Sequence, residues 1–365
     1  MTQVTTKNRP IIYLAATGHG FGHAVRISTI ADAILKLRPD SLLIMVTTAP
    51  RWLLESYISG DFIYRPLAFD VGVIQADSFK MDKAATLNKM QEIYEKRQAL
   101  MAAEINFIKT NQVDLILADI PPLIAPIAQL AGVPCWMMSN FGWDFIYEAW
   151  GEEWQGIVNW IKDCYQQCDR LFRLPMAEPM KAFNSITDVG LTGGNPRYTM
   201  DELKDQFNLT ASPEKTILLT FGGLGLQQIP YDNLAQFSDW QFITFDRQAP
   251  QLNNIIKITE PFYRPVDFMP LCERVISKPG FSTFAEAMRL EIPIVSLVRD
   301  DFAEAALLLE GIENYAEHQI IETEGFFQGN WDFLKQAPNP PKIGKSLPKD
   351  GCTVIAQAIL DQVNN

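Results

Sequence analysis

Very little in this chain of 365 residues points to a charged or insoluble partner: 31 Lys and Arg stand against 43 Asp and Glu, a formal net charge of -12. That balance repels nucleic acid and anionic membrane surfaces at long range and so works against both as partners, a local basic patch being the alternative. Long apolar runs are also missing. Met1 to Pro10 is polar, and the apolar stretch after it, Ile11 to Ala16, is too short for a signal-peptide core or a membrane span, which predicts a cytoplasmic protein. Cysteine is scarce: Cys135, Cys164, Cys168, Cys272 and Cys352 form an odd, scattered set that does not resemble a secreted disulfide framework. Cys164 and Cys168 are spaced to share a helix face, but no His lies near them, and buried thiols explain them better than a metal site. No repeat of 20 to 50 residues is evident, so solenoids and propellers are excluded.

What is present is alternation. Ile11 to Ala16 and Leu42 to Thr47 read as strands around a helix at Ala24 to Leu37, a βαβ unit. In that helix Ile27, Ile30, Ala31, Ile34 and Leu35 form one buried stripe, while Arg26, Asp32 and Lys36 fall off it. Asp114 to Asp119 and Val133 to Ser139 read as buried parallel strands, separated by a helix opened by Pro121 and Pro122. A second series follows: Thr216 to Phe221, Gln241 to Phe245, Ile255 to Ile258, Arg274 to Ser277 and Ile292 to Val298. With 47% hydrophobic residues the chain exceeds one ordinary core, and the turn chemistry of Gly193-Gly194-Asn195-Pro196 places a boundary between the series. The expectation is an α/β protein of two Rossmann-like domains facing a cleft. They span residues 1–190 and 191–350, and a helix within 351–365, about Thr353 to Val363, packs back on the first.

The chemistry concentrates after the first strand, in Thr17-Gly18-His19-Gly20-Phe21-Gly22-His23-Ala24-Val25-Arg26. Glycines there let backbone approach a ligand, and the helix N-terminus that follows favours negative charge. A nicotinamide fingerprint needs other glycine spacing and an acidic residue where this chain has Thr47 and Thr48, and no Walker loop occurs. Imidazole titrates near neutral pH, so His23 suits general-base work with His19 beside it; the alternative is a histidine capping its own turn. Asp119, at the end of a predicted strand on the same sheet edge, is placed to orient the base, or else caps the helix after Pro121.

These residues resemble the GT-B nucleotide-sugar glycosyltransferases, particularly the lipid II-forming N-acetylglucosaminyltransferase and its relatives. The matching pieces are Gly20 to Ala24, Thr192 to Arg197, Phe221 to Gly225, and Ser277 to Ala287. A second resemblance, through Gly18 to Arg26, Ser139 to Tyr147 and Arg299 to Glu304, is to the glycosyltransferase-like N-terminal region of plant arabinokinases; it carries no kinase activity. The resemblance implies a donor such as a UDP-sugar. Its diphosphate would meet Gly222, Gly223, Gly225, Arg197, Gly280, Ser282 and Thr283, its ribose Glu286, and its sugar Asp300, Asp301 and Glu304. Here the chain departs from the pattern: Asp300-Asp301 replaces a Gln or Asp-Gln pair and Glu304 replaces an Asn, which leaves the donor sugar open. Simple readings remain beside these: capping for Ser282 and Thr283, a solvated helix face for Glu286, a turn for the glycines, a surface linker for Arg197, a solvent-facing helix start for the acidic trio.

An acceptor side is expected at Gly20, Gly22, Asn140, Trp143 and Asp144. The aromatic stripe Trp143, Tyr147, Trp150 and Trp154 fits core or a dimer contact better than a pocket. The implied activity is inverting, metal-independent transfer to an unidentified acceptor hydroxyl, with the nucleotide-sugar as substrate and no cofactor. A nucleotide-sugar hydrolase or a non-catalytic nucleotide-sugar-binding protein are the alternatives. Oligomeric state is not legible.

Overall fold

In the computed structural model, residues 9–75, 81–222, 229–329 and 331–364 are described. The first strand, β1 (Ile11–Ala16), is apolar throughout because its sheet is covered on both faces, as parallel sheets are. It is followed by α1 (Gly22–Leu37), β2 (Leu42–Val46), α2 (Arg51–Tyr57), β3 (Ile63–Arg65) and the long α3 (Lys83–Thr110). Then come β4 (Leu115–Asp119), α4 (Ile124–Ala131), β5 (Cys135–Ser139), α5 (Trp143–Glu148), α6 (Gln155–Tyr165), β6 (Arg170–Arg173) and β7 (Ile186–Asp188). These strands make one parallel sheet in the order β3-β2-β1-β4-β5-β6-β7.

After α7 (Met200–Phe207) a second parallel sheet is built from β8 (Thr216–Leu219), β9 (Gln241–Thr244), β10 (Ile255–Lys257), β11 (Arg274–Ser277), β12 (Ile294–Leu297) and β13 (His318–Ile321). Its order is β10-β9-β8-β11-β12-β13. Between and after its strands lie α8 (Pro265–Phe268), α9 (Phe281–Leu290), α10 (Ala303–Tyr315) and α11 (Thr323–Phe327), and α12 (Gly351–Asn364) ends the chain. The architecture is two parallel-sheet α/β domains. α12 lies against α1, with Ile355 and Ile359 in the same apolar cluster as Ile27 and Ile30.

Strand order fixes where ligands can bind. In the first sheet the chain reverses direction of progress between β1 and β4, and in the second between β8 and β11. The loops leaving each such pair part to opposite sides and open a crevice at the strand ends. The histidine loop follows β1, Asp119 ends β4, Gly222 follows β8, and Lys278 to Gly280 follows β11.

Three sequence expectations are corrected. Arg26 does not lie off the buried stripe; it is 3% exposed, because partners from other strands draw it inward. The helix after Pro121 and Pro122 begins at Ile124, and the two prolines form the preceding turn, their carbonyls accepting from Ile124 and Ala125. Cys168 lies beyond the end of α6 and shares no helix face with Cys164; its thiol faces the Cys135 and Arg170 carbonyls. The aromatic stripe is core: Tyr147 stacks between Trp143 and Trp154, at 5.6 and 4.6 Å. Among the described residues no helix is long and apolar enough to cross a membrane.

Candidate functional site

At the end of β4, Asp119 is wholly buried and engaged from two sides. His23 Nδ1 lies 2.9 Å from Oδ1, and Arg26 donates through Nε to Oδ2 at 2.7 Å and through Nη2 to Oδ1 at 2.6 Å. His23 and Arg26 are one helical turn apart on α1, which is why both reach one carboxylate. Burial by itself would raise Asp119, but the Arg26 charge and then His23 outweigh it and hold the carboxyl below its ordinary value. Arg26 continues outward, donating through Nη1 to Asn140 Oδ1 at 2.7 Å. Asn140 in turn donates to Glu304 Oε1 at 2.7 Å, so one buried polar chain runs from His23 to the second domain.

His19 sits beside this chain, its ring 5.6 Å from Trp143 and 6.0 Å from Phe302. Burial, followed by the charges of His23, Arg299 and Lys278, lowers it to about 3, so it is neutral at physiological pH. Trp143 has no exposed surface; its indole N–H donates to Thr17 Oγ1 at 3.2 Å, and its ring supports the two imidazoles.

His23 opens on a cavity of about 120 Å³ between the two switch points. Two helix N-termini meet there, α1 at Gly22 and α9 at Phe281, and neither has a side-chain cap or an acidic residue in its first turn. Lys278 and Arg299 also line it. The helix ends are tied together: Ser282 donates its hydroxyl to the Gly22 carbonyl at 2.9 Å, so it joins the two helices and does not cap its own. Gly222 adopts φ +75°, a backbone shape that side chains resist, and lines the cavity. Gly20 and Gly280 line the same space. Gly223 and Gly225 lie outside the described residues.

Through Gly222, Ser282 and Thr283 this cavity continues into a larger one of about 480 Å³. Glu286 is in its wall, only 3% exposed, so it is not on a solvated helix face. It accepts from the Gly194 N–H at 2.9 Å and from the Tyr57 hydroxyl, yet burial dominates and raises it to about 7. Gly194 passes so close that a Cβ there would stand 2.9 Å from the Tyr57 ring, which accounts for a glycine at this crossing.

Several expected residues are not brought to this cleft. Arg197 lines an adjoining cavity of about 580 Å³, which meets the larger one at Ser56, Tyr57 and Arg264, and its guanidinium is occupied by Asp267 at 3.0 Å and the Ser56 carbonyl at 2.9 Å. That geometry ties the linker down and presents no free fork to a phosphate. Asp144 turns away from its neighbour Trp143 into a third cavity of about 360 Å³ with Glu178 and Lys162. Asp300 and Asp301 are exposed at the start of α10, whereas Glu304 is buried in the polar chain. Conversely, Arg26, Lys278 and Arg299 are cleft residues that the sequence reading passed over. A charged residue one turn after His23, and a lysine inside the Ser277 to Ala287 motif, were the available signals.

Among the described residues no cluster of three or more His, Cys, Asp or Glu side chains is placed to hold a metal ion. No family model matches the chain. Over an alignment of 335 residues that covers 88% of this chain, it is 28% identical to L-arabinokinase of Arabidopsis thaliana, and the match spans 31% of that protein, so the chain covers about a third of its relative. Among solved structures, the glycotransferase of kitacinnamycin superposes with a TM-score of 0.63 at 13% identity, covering 97% of this chain and 99% of that one. UGT71G1 of Medicago truncatula, complexed with UDP-glucose, gives 0.61 at 12% identity with 99% of each chain covered. The spinosyn forosaminyltransferase SpnP gives 0.57 at 13%, over 98% and 95%. At such identities the likeness is one of fold, and over nearly its whole length this chain has the GT-B glycosyltransferase fold.

Proposed function

We propose that the chain is a glycosyltransferase that moves a sugar from a nucleoside-diphosphate donor to an acceptor hydroxyl. One observation carries the reading: two uncapped helix N-termini and the cations Lys278 and Arg299 converge on the cavity that His23 faces. Helix N-termini favour anions through their unpaired N–H groups and dipoles, and a leaving diphosphate needs such groups as its charge develops. The fold shared with the glycosyltransferases above supports the same reading.

In this mechanism His23, held through Nδ1–H by Asp119, takes the acceptor hydroxyl proton on Nε2. The acceptor oxygen forms the new bond to the anomeric carbon as the bond to the diphosphate oxygen breaks on the opposite side, inverting the centre. The diphosphate leaves into the seam formed by Gly222, Ser282, Thr283 and Lys278, with no divalent metal required. Residues 1–190 then carry the base and acceptor, 191–350 carry the donor, and the 351–365 helix rests on the first domain. Of the acidic trio Glu304 alone lines the cavity beside His23 and adjoins the donor sugar there, its Oε1 held by Asn140, while Asp300 and Asp301 stay outside it.

The test is a thermal-shift panel of UDP-, GDP- and dTDP-sugars in EDTA. A donor at 100 times its dissociation constant stabilises by about 2.7 kcal/mol. Turnover with a panel of hydroxyl acceptors, read as glycosylated product against free sugar, separates transfer from hydrolysis. Absence of any shift, or activity that returns only with added manganese or magnesium, removes the donor or the metal-free part of the proposal respectively.

A further inference from the structure

We propose that the nucleobase of the donor is gripped between the two domains, with Trp52 of the first domain closing on it. The inference rests on the donor reading above and goes beyond it, since that reading places nucleotide recognition in the second domain alone.

Trp52 is 42% exposed, while the other tryptophans of the described residues are buried or half-buried. An exposed apolar side chain standing singly on a surface needs no explanation, but Trp52 belongs to the aromatic lining of a concavity, the setting in which ligands bind. Trp52 lines the cavity of about 480 Å³ together with Phe21, which meets it edge-on at 5.6 Å. Phe245 and Tyr263 of the second domain line the same cavity. The helix bearing Trp52 is fixed to that domain at its far end: Tyr57 donates to Glu286, and the Ser56 carbonyl accepts from Arg197 at 2.9 Å. The ring is therefore held over the cavity by anchors one turn away.

The occupant follows from connectivity. The large cavity and the His23 cavity share Gly222, Ser282 and Thr283. A ligand with its phosphates on that seam and its sugar toward His23 sends its nucleoside into the large cavity, and the planar part of a nucleoside is its base. An acceptor must instead reach His23, at the other end.

Calorimetric titration with UDP, GDP and dTDP identifies the diphosphate that the wild-type chain binds, and inorganic pyrophosphate serves as a probe without a base. Base stacking on an aromatic side chain is worth about 1–3 kcal/mol, so Trp52→Leu should weaken the nucleotide by about 5- to 150-fold. Trp52→Phe should recover most of that loss, and pyrophosphate affinity should be the same in all three proteins. Nucleotide affinity unchanged in Trp52→Leu overturns the clamp and leaves the donor reading standing. Equal weakening of nucleotide and pyrophosphate also overturns it, because Trp52 would then act through packing. If the wild-type chain binds pyrophosphate but none of the nucleotides, the donor reading falls and takes the clamp with it.

Discussion

Asp119 and Glu286 are both buried carboxylates at the cleft, one in each domain, and they are in opposite states. Asp119 has Arg26 across both its oxygens and His23 on one, and is held below its ordinary value. Glu286 has an arginine nearby as well, but Arg264 spends its guanidinium on Asp267, at 2.6 and 3.2 Å, and Glu286 rises to about 7. Burial is common to both, so the counter-ion decides. The first domain is built to keep a fixed charge behind a base. The second offers a carboxyl that changes charge near neutral pH where a ribose is proposed to bind.

The largest expected effect is on the fixed-charge side. Removing a positioned general base costs about 10² to 10⁴ in rate, so His23→Ala should lose turnover by that factor while its nucleotide affinity, measured by calorimetry, stays near wild type. A variant that retains most of its turnover while His19→Ala loses it would transfer the role to the neighbouring imidazole.

Next comes the ion pair itself. Asp119→Asn removes the only carboxylate among the described residues that pairs with Arg26 and leaves a 3% exposed guanidinium against Asn140. Breaking a buried pair in this way costs about 3–5 kcal/mol, measurable by urea unfolding. The double variant Arg26→Met with Asp119→Asn should recover part of that loss, since no buried charge remains unmatched. Equal destabilisation of single and double variants would show that the contrast with Glu286 does not come from the arginine.

Much of the fold was legible because it rests on local pattern. β1 and β11 occupy their expected residues, and the motifs after β1 and β11, with Gly222 after β8, stand at the switch points that strand order creates. What was missed depends on partners distant in sequence. The burial of Arg26 is caused by Asp119, 93 residues away, and no helical stripe announces it. β3 and β7 are three-residue edge strands, too short to show alternation, and α3 buries only five of its 28 residues. At the site, His23 and Asp119 meet as expected because both end on one sheet edge. Asp144 and Arg197 face elsewhere for a different reason: the matching motif fixes position along the chain, but Asp267 holds the Arg197 guanidinium, and backbone N–H groups at the start of α5 hold the Asp144 carboxylate away from the cleft.

The smallest effect sharpens the comparison from the Glu286 side. An ionised carboxylate accepts from both ribose hydroxyls, so nucleotide affinity should rise with pH as Glu286 loses its proton. For a group at about 7 the gain between pH 6 and 8 is about tenfold, and Glu286→Gln should bind more weakly at pH 8 and show no such rise. Stability of the free protein should move the other way. Because the folded-state value lies above the ordinary 4.5, the contribution is present below that value and is lost as pH climbs through 7. Asp70 and Asp144, each raised to about 6 by burial, add the same sign over a lower window, whereas His19, lowered to about 3, opposes it below 6.5. Melting temperature should therefore fall between pH 6.5 and 8, and Glu286→Gln should flatten that fall while leaving any change below pH 5 intact. A pH slope identical in both proteins would mean that Glu286 is ionised throughout, and that the two corners are electrostatically alike.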